Sequence, residues 1–391
     1  MRQVMAISLE IRLGIAGTAK NTGKTTTTAA IIDELRDRNI PFFLTSIGYD
    51  GENIDNITGL PKPKLRVEPG DLVATAEKCL EVSTAGYKVL TPTNIRTPLG
   101  KISLVQVTKS GLAVTAGPNK SSEVRALAQL FRETGPGVMI FDGALNRIAP
   151  MVETDGFVLA TGAARTPDIP RLAEETELVW RIASLPTVPK AARIAKYPPV
   201  VITLIDKELT ELKSWPAASL IGEFEAQELA DGLAAIVVPP DSYLYIPGII
   251  SEQALLVLCA YFQQYNWPIF LTFADPIKLL VSSNPVAYYT LLDKIFAAGG
   301  YVGVVKRVPL LAVTLNPFYP EYRFDSKTYQ PAFVDFMRLQ LLVQKNIQAP
   351  VYNVVKQGAK SLVDNILAGA RRWEGPSTMY FNKENTACAE P

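Results

Sequence analysis

Histidine is missing from all 391 residues, which removes the commonest general base, pH switch and metal ligand from any mechanism this chain could use. Its chemistry must run on carboxylates, lysine, hydroxyls, backbone dipoles or a bound metal ion. Cysteine is almost as scarce. Cys79, Cys259 and Cys388 are three in number, too few and too scattered for a disulfide framework or a Cys-rich zinc site, and a reducing, cytoplasmic setting fits that count. Net charge is lacking too: 39 basic against 38 acidic residues leave +1, so no general field attracts nucleic acid or an anionic membrane. Long apolar runs are absent. The longest, Ala254 to Phe262, has nine residues, against the roughly 20 that a membrane-spanning helix needs. The apolar stretch before Gly17 is interrupted by Glu10 and Arg12 and feeds directly into a loop, so it reads as a first strand rather than a signal peptide.

What remains is an ordinary globular composition, 48% hydrophobic and 20% charged, long enough for two α/β domains. The pattern divides at residues 183–199, where prolines 186, 189, 198 and 199 read as a linker. It predicts a first domain over 1–195, a second α/β domain over 196–375 and a polar tail over 376–391.

The chain is organised around its start. Leu13-Gly14-Ile15-Ala16 runs into Gly17-Thr18-Ala19-Lys20-Asn21-Thr22-Gly23-Lys24-Thr25-Thr26, and Thr28, Ile31, Ile32 and Leu35 follow at helical spacing. Strand, loop and helix in this order form a phosphate-binding loop: successive N–H groups at the helix start face an anion, and Gly23 lets the backbone approach it. Lys24 would hold the β and γ phosphates and the Thr25 hydroxyl a Mg²⁺ ion. Thr18 stands where the G-x-x-x-x-G-K-[ST] pattern expects glycine, and Gly17 falls one residue early. Lys20 is either a second cation for the phosphates or a solvated loop lysine.

Further along, Ile40 to Thr45, which contains Pro41, reads as a second strand, with Asp50 and Glu52 beyond its exit. In open α/β sheets ligands bind past the carboxyl ends of strands, so Asp50 or Glu52 could orient the attacking group and Asp50 could join the metal, unless Asp50-Gly51 is only a turn. Gly70 to Leu80 reads as a helix, and Lys88–Leu90 and Ile102–Val107 as strands. Leu112–Thr115 opens a second strand-loop-helix unit whose helix Ser121 or Ser122 could cap. Gly137-Val138-Met139-Ile140-Phe141-Asp142 has the form of a Walker B strand, ending on a carboxylate for the Mg²⁺ that Thr25 also touches. Gly156–Ala160 and a helix over 169–182 complete a doubly wound parallel sheet. Beyond the linker, 200–205, 234–238, 268–272 and 312–315 read as strands and 251–262, 285–297 and 331–343 as helices. Asp275 and Asn316-Pro317-Phe318 read there as turn chemistry.

Together, Lys24, Thr25, Asp142 and Asp50 supply the parts for phosphoryl transfer or hydrolysis on Mg-ATP, with residues 17–26 as the nucleotide cradle. The loop is similar to that of dethiobiotin synthetase and, more broadly, to the signal-recognition and MinD-like P-loop proteins. Ala19 stands where MinD-type loops carry their signature lysine. A closer resemblance joins Ala19 to Thr26, Thr45-Ser46-Ile47-Gly48 with Asp50-Gly51-Glu52, Asp142-Gly143-Ala144-Leu145-Asn146-Arg147, Leu159 to Ala163 and, more faintly, Thr314-Leu315-Asn316-Pro317. These look like the P-loop subunit of the lysine 5,6-aminomutase reactivases, with Tyr49 in place of an expected basic residue. The resemblance implies a P-loop ATPase that drives release of damaged cobalamin from an adenosylcobalamin-dependent aminomutase, beside a second reactivase subunit. A homodimer is compatible with it. The other readings are a dethiobiotin-synthetase-like ligase or small-molecule kinase, and a nucleotide-responsive binding module.

Overall fold

The computed structural model describes residues 10–48, 65–145, 148–281, 284–325 and 327–372. Asp50 and Glu52 lie outside the described residues, as do Tyr49, Asn146, Arg147, Cys388 and the 376–391 tail. The chain is mixed α/β and forms two compact units, one from residues up to 177 together with Pro309–Arg372, the other from Leu178–Val308. This differs from the expected division at 195 and 375, because the chain returns to the first unit at 309.

In the first unit, β1 (Glu10–Gly17) leads to α1 (Lys24–Asp37) and β2 (Phe42–Ser46). Then come β3 (Leu65–Val67), β4 (Leu72–Ala76), α2 (Glu77–Val82), β5 (Gly86–Thr97), β6 (Gly100–Lys109) and β7 (Gly111–Ala113). They are followed by α3 (Ser121–Thr134), β8 (Gly137–Ala144) and β9 (Gly156–Gly162), and by α4 (Ile169–Ala183), which belongs to the first unit up to Glu177. β8, β9 and β1 from Leu13 on are apolar almost without interruption, as parallel strands covered on both faces must be.

Three expectations fail in this region. The helix expected over Gly70–Leu80 is strand β4 followed by the short α2: Val73, Ala74, Thr75 and Ala76 are all buried beside β2 and β6, and sheet pairing outweighs the helical spacing. The segment at 112–115 is not a strand of the main sheet, since β7 pairs antiparallel with β3 alone. Neither Ser121 nor Ser122 caps α3. Both lie inside the helix, whose N-cap is Lys120, and Glu123 instead reaches back to the Asn119 N–H at 3.3 Å.

The second unit contains α5 (Ala191–Ile194), β10 (Ile202–Ile205), β11 (Glu211–Trp215), α6 (Glu223–Ala234) and β12 (Tyr243–Ile246). α7 (Glu252–Tyr265), β13 (Phe270–Phe273), α8 (Ile277–Leu280), α9 (Pro285–Ala297) and β14 (Tyr301–Val304) complete it. Its sheet has the order β11-β10-β12-β13-β14. The expected linker belongs to its core, where Val188, Ala191 and Ile194 pack with Ile205, Tyr243 and Tyr245. No strand forms at 234–238: α6 ends there, Val237 is 95% exposed, and β12 takes the place instead. Ser251 caps α7, accepting from the Ala254 N–H.

The returning segment contributes β15 (Leu310–Asn316), an antiparallel ribbon of β16 (Phe318–Arg323) and β17 (Thr328–Phe333), α10 (Phe336–Asn346), β18 (Val351–Tyr352), α11 (Val354–Gln357) and α12 (Lys360–Arg372). The helix expected from Pro331 starts at Phe336, because Pro331 to Phe333 pair with β16 and Asp335 provides the cap. β15 is not a strand of the second unit. It pairs in parallel with β9 and completes a nine-stranded sheet of order β18-β15-β9-β1-β8-β2-β4-β6-β5.

Every strand from β18 to β4 in that order runs parallel to its neighbours, and β6 and β5 add an antiparallel edge. From β1 the chain moves outward to β2, returns to β8, and crosses to β9 on the far side of β1. The carboxyl end of β1 therefore lies where the winding reverses, the position at which such sheets bind ligands. No helix among the described residues is long and apolar enough to cross a membrane.

Candidate functional site

The loop expected between residues 17 and 26 spans the turn from β1 into α1. α1 opens on Lys24 and then Thr25-Thr26-Thr27-Thr28, a run of β-branched residues that is poor in helix propensity. A tertiary contact offsets this: the Thr27 and Thr314 hydroxyls lie 2.7 Å apart, while Thr28 donates within the helix to the Lys24 carbonyl at 3.1 Å. Gly23 precedes the helix at φ +89°, a left-handed conformation that L side chains rarely adopt. Asn21 also has a positive φ, +62°.

Gly17 and Thr18 exchange the roles expected of them. A Cβ at Gly17 would come within 3.2 Å of the Lys24 Cβ, so the early glycine makes room for the lysine stem over the end of β1. Thr18 is extended toward β9, its N–H bonded to the Ala160 carbonyl at 3.1 Å and its hydroxyl to Thr161 at 2.9 Å. That direction explains how a threonine fits at the usual glycine position. Thr22 closes the loop internally, donating to the Ala19 carbonyl at 2.9 Å, while Lys20 is exposed.

Asp142 is delivered by register. It lies level with Ile15 of β1 and Ser46 of β2, and the residue just past β2, Ile47, donates its N–H to the Asp142 carbonyl at 2.7 Å. The Lys24 ammonium lies 2.9 Å from Asp142 Oδ1, with side-chain exposures of 13% and 8%. Two residues named for separate roles in the sequence thus meet as a nearly buried ion pair. Thr25 and Thr26 lie in the first turn of α1, half-buried.

Several residues at this site escaped the sequence reading. Asn316, expected to be part of a turn, donates from Nδ2 to the Asn21 carbonyl at 2.9 Å, and Thr314 and Thr161 hold Thr27 and Thr18. Nothing local marks them, because their contacts span 143 to 295 residues; the likenesses over Leu159–Ala163 and Thr314–Pro317 were the signals that touched them. Beside the loop opens a cavity of about 480 Å³, bordered by Gly23, Thr26, Asn316, Phe333, Phe336 and Lys356. Lys356 holds its ammonium 4.9 Å from the centre of the Phe336 ring.

The donor set suits a magnesium-bound polyphosphate. Among the described residues no three acidic or thiol side chains gather as a metal cage. One hydroxyl and one carboxylate are the protein ligands expected where phosphate oxygens and water complete a Mg²⁺ shell, with a lysine at the helix start facing the phosphates. Comparison of this chain with protein-family models, curated proteins and solved structures finds no match in any of the three.

Proposed function

We propose that the chain is a P-loop ATPase that binds Mg-ATP at residues 17–26 and acts as a reactivating factor for an adenosylcobalamin-dependent aminomutase of the lysine 5,6-aminomutase type. The observation that carries the nucleotide reading is the approach of Lys24 to Asp142 at 2.9 Å, at the carboxyl end of β1. A cation meant for phosphate and a carboxylate meant for its metal belong within one ion's reach, and each neutralises the other until the ligand arrives. Lys24 would then hold the β and γ phosphates, and Thr25 with Asp142 would hold the magnesium, which neutralises phosphate charge. The adjoining cavity, with its apolar walls, leaves room for the nucleoside. The reactivating role rests on the resemblance of residues 19–26, 45–48 with 50–52, and 142–147 to the reactivase P-loop subunits. A second reactivase subunit and the aminomutase are the partners it implies, and turnover would have to favour a conformer that loosens the mutase around its cofactor.

ATP hydrolysis measured with and without such a mutase tests this reading, with cobalamin release followed in parallel. Stimulated hydrolysis and release support it. ATP consumed with a small carboxylate and no mutase would favour the ligase reading, and binding without turnover a nucleotide-responsive module. Lys24→Ala should abolish Mg-ATP binding or turnover, and Asp142→Asn should weaken the Mg²⁺ dependence. Unchanged affinity and an unchanged metal titration would remove the assigned roles.

A further inference from the structure

Asn316 is tied at both ends of its side-chain amide. Nδ2 donates to the Asn21 carbonyl at 2.9 Å, and Oδ1 accepts from the Phe318 N–H at 3.2 Å. Its Cβ also fills the space beside Gly23, where an added Cβ would lie 3.3 Å from it. Asn21 and Gly23 are the two positive-φ residues of the loop, so Asn316 bears on both points where the backbone makes its unusual turn.

The bond to Asn21 has a geometric consequence. A peptide unit is planar, and the plane that carries the Asn21 carbonyl also carries the Thr22 N–H, pointing the opposite way. Anchoring the carbonyl on Asn316 therefore fixes the direction of a loop N–H. β15 is itself held in place, by its pairing with β9 and by the Thr314–Thr27 contact.

We propose that Asn316 is the positioning residue of the phosphate loop, holding the 21–23 backbone in the shape that receives a polyphosphate. Affinity at the loop then depends on a strand supplied from the far end of the chain. This rests on the nucleotide reading above and deepens it.

The experiment compares wild type, Asn316→Ser and Asn316→Leu in binding Mg-ATP and, separately, inorganic triphosphate. Serine is too short to reach Asn21 but can still accept from the Phe318 N–H; leucine keeps the branched shape and lacks both donor and acceptor, and serves if the serine variant melts early. Loss of one hydrogen bond from a loop backbone predicts binding about fivefold weaker, by the same factor for both ligands, with KM for ATP raised and kcat within about twofold of wild type. Equal affinity in wild type and variants would overturn the inference alone. So would a loss confined to ATP, which would place Asn316 against the base instead. Wild type that binds neither ligand would overturn the nucleotide reading and this inference with it.

Discussion

Asn21 stands at φ +62° where most side chains are strained, and asparagine is among the residues that tolerate this region best. Asn21→Gly should leave Mg-ATP affinity within about twofold, since glycine adopts the same backbone without strain. Asn21→Val should weaken binding or lower stability by about 1–2 kcal/mol, read by calorimetric titration and thermal melting. Lys24 and Asp142 show the other limit at this scale. They were legible because a phosphate loop and an apolar strand ending in Asp are local patterns, and because lysine and aspartate are read by type. Their 2.9 Å approach was not legible, since it follows from the pairing of β1 with β8. Asn316 was visible as a residue but not as a partner of the loop.

Among the elements, β15 is the one on which the site most depends and the one the sequence assigned to the wrong unit. Gly162 of β9 lies so close to it that an added Cβ would sit 2.0 Å from the Asn316 carbonyl oxygen. Gly162→Ala must therefore push the end of β15 away from β9. We expect weaker Mg-ATP binding together with a lowered melting temperature, whereas unchanged affinity would mean that the end of β15 does not bear on the loop. The core strands of the first unit were legible from their apolar runs: β1, β8 and β9 fall close to where the pattern puts them. β4 was not, because Leu72 to Ala76 followed by Glu77 to Val82 carries helical spacing across a strand-helix boundary. Sheet neighbours far away in sequence decide that segment. α9 was read to its full extent because Asn284 and Pro285 mark its start locally.

At the level of the whole molecule, each unit has a core of its own, and the second is marked by a buried carboxylate. Asp275 follows β13, is 3% exposed and leaves Oδ1 without a hydrogen-bond partner among the described residues. Burial pushes its carboxyl above the ordinary carboxylate range, against the opposing pull of Lys278, Lys306 and the N–H groups of Lys278 and Ile277. A carboxylate with a raised folded-state pKa binds its proton more tightly in the folded chain. Its stabilising effect is thus full below about pH 4 and is lost as the pH rises through the window above it. Asp275→Asn should accordingly raise the melting temperature of the second unit at pH 7 and make no difference near pH 4. Melting curves at both values check this, and a variant that melts lower at pH 7 would reverse the assignment. The division into units was half legible: proline-rich residues 183–199 suggested a border, yet Val188 and Ile194 are core residues of the second unit, and the return at Pro309 leaves no mark in composition.

The 295 residues that separate Asn21 from Asn316 also set a schedule. At roughly 5–20 residues per second of synthesis, the proposed anion cradle leaves the ribosome on the order of 15–60 s before the strand proposed to brace it. A nascent chain halted short of β15 would carry a complete glycine-lysine-threonine signature and still grip triphosphate poorly.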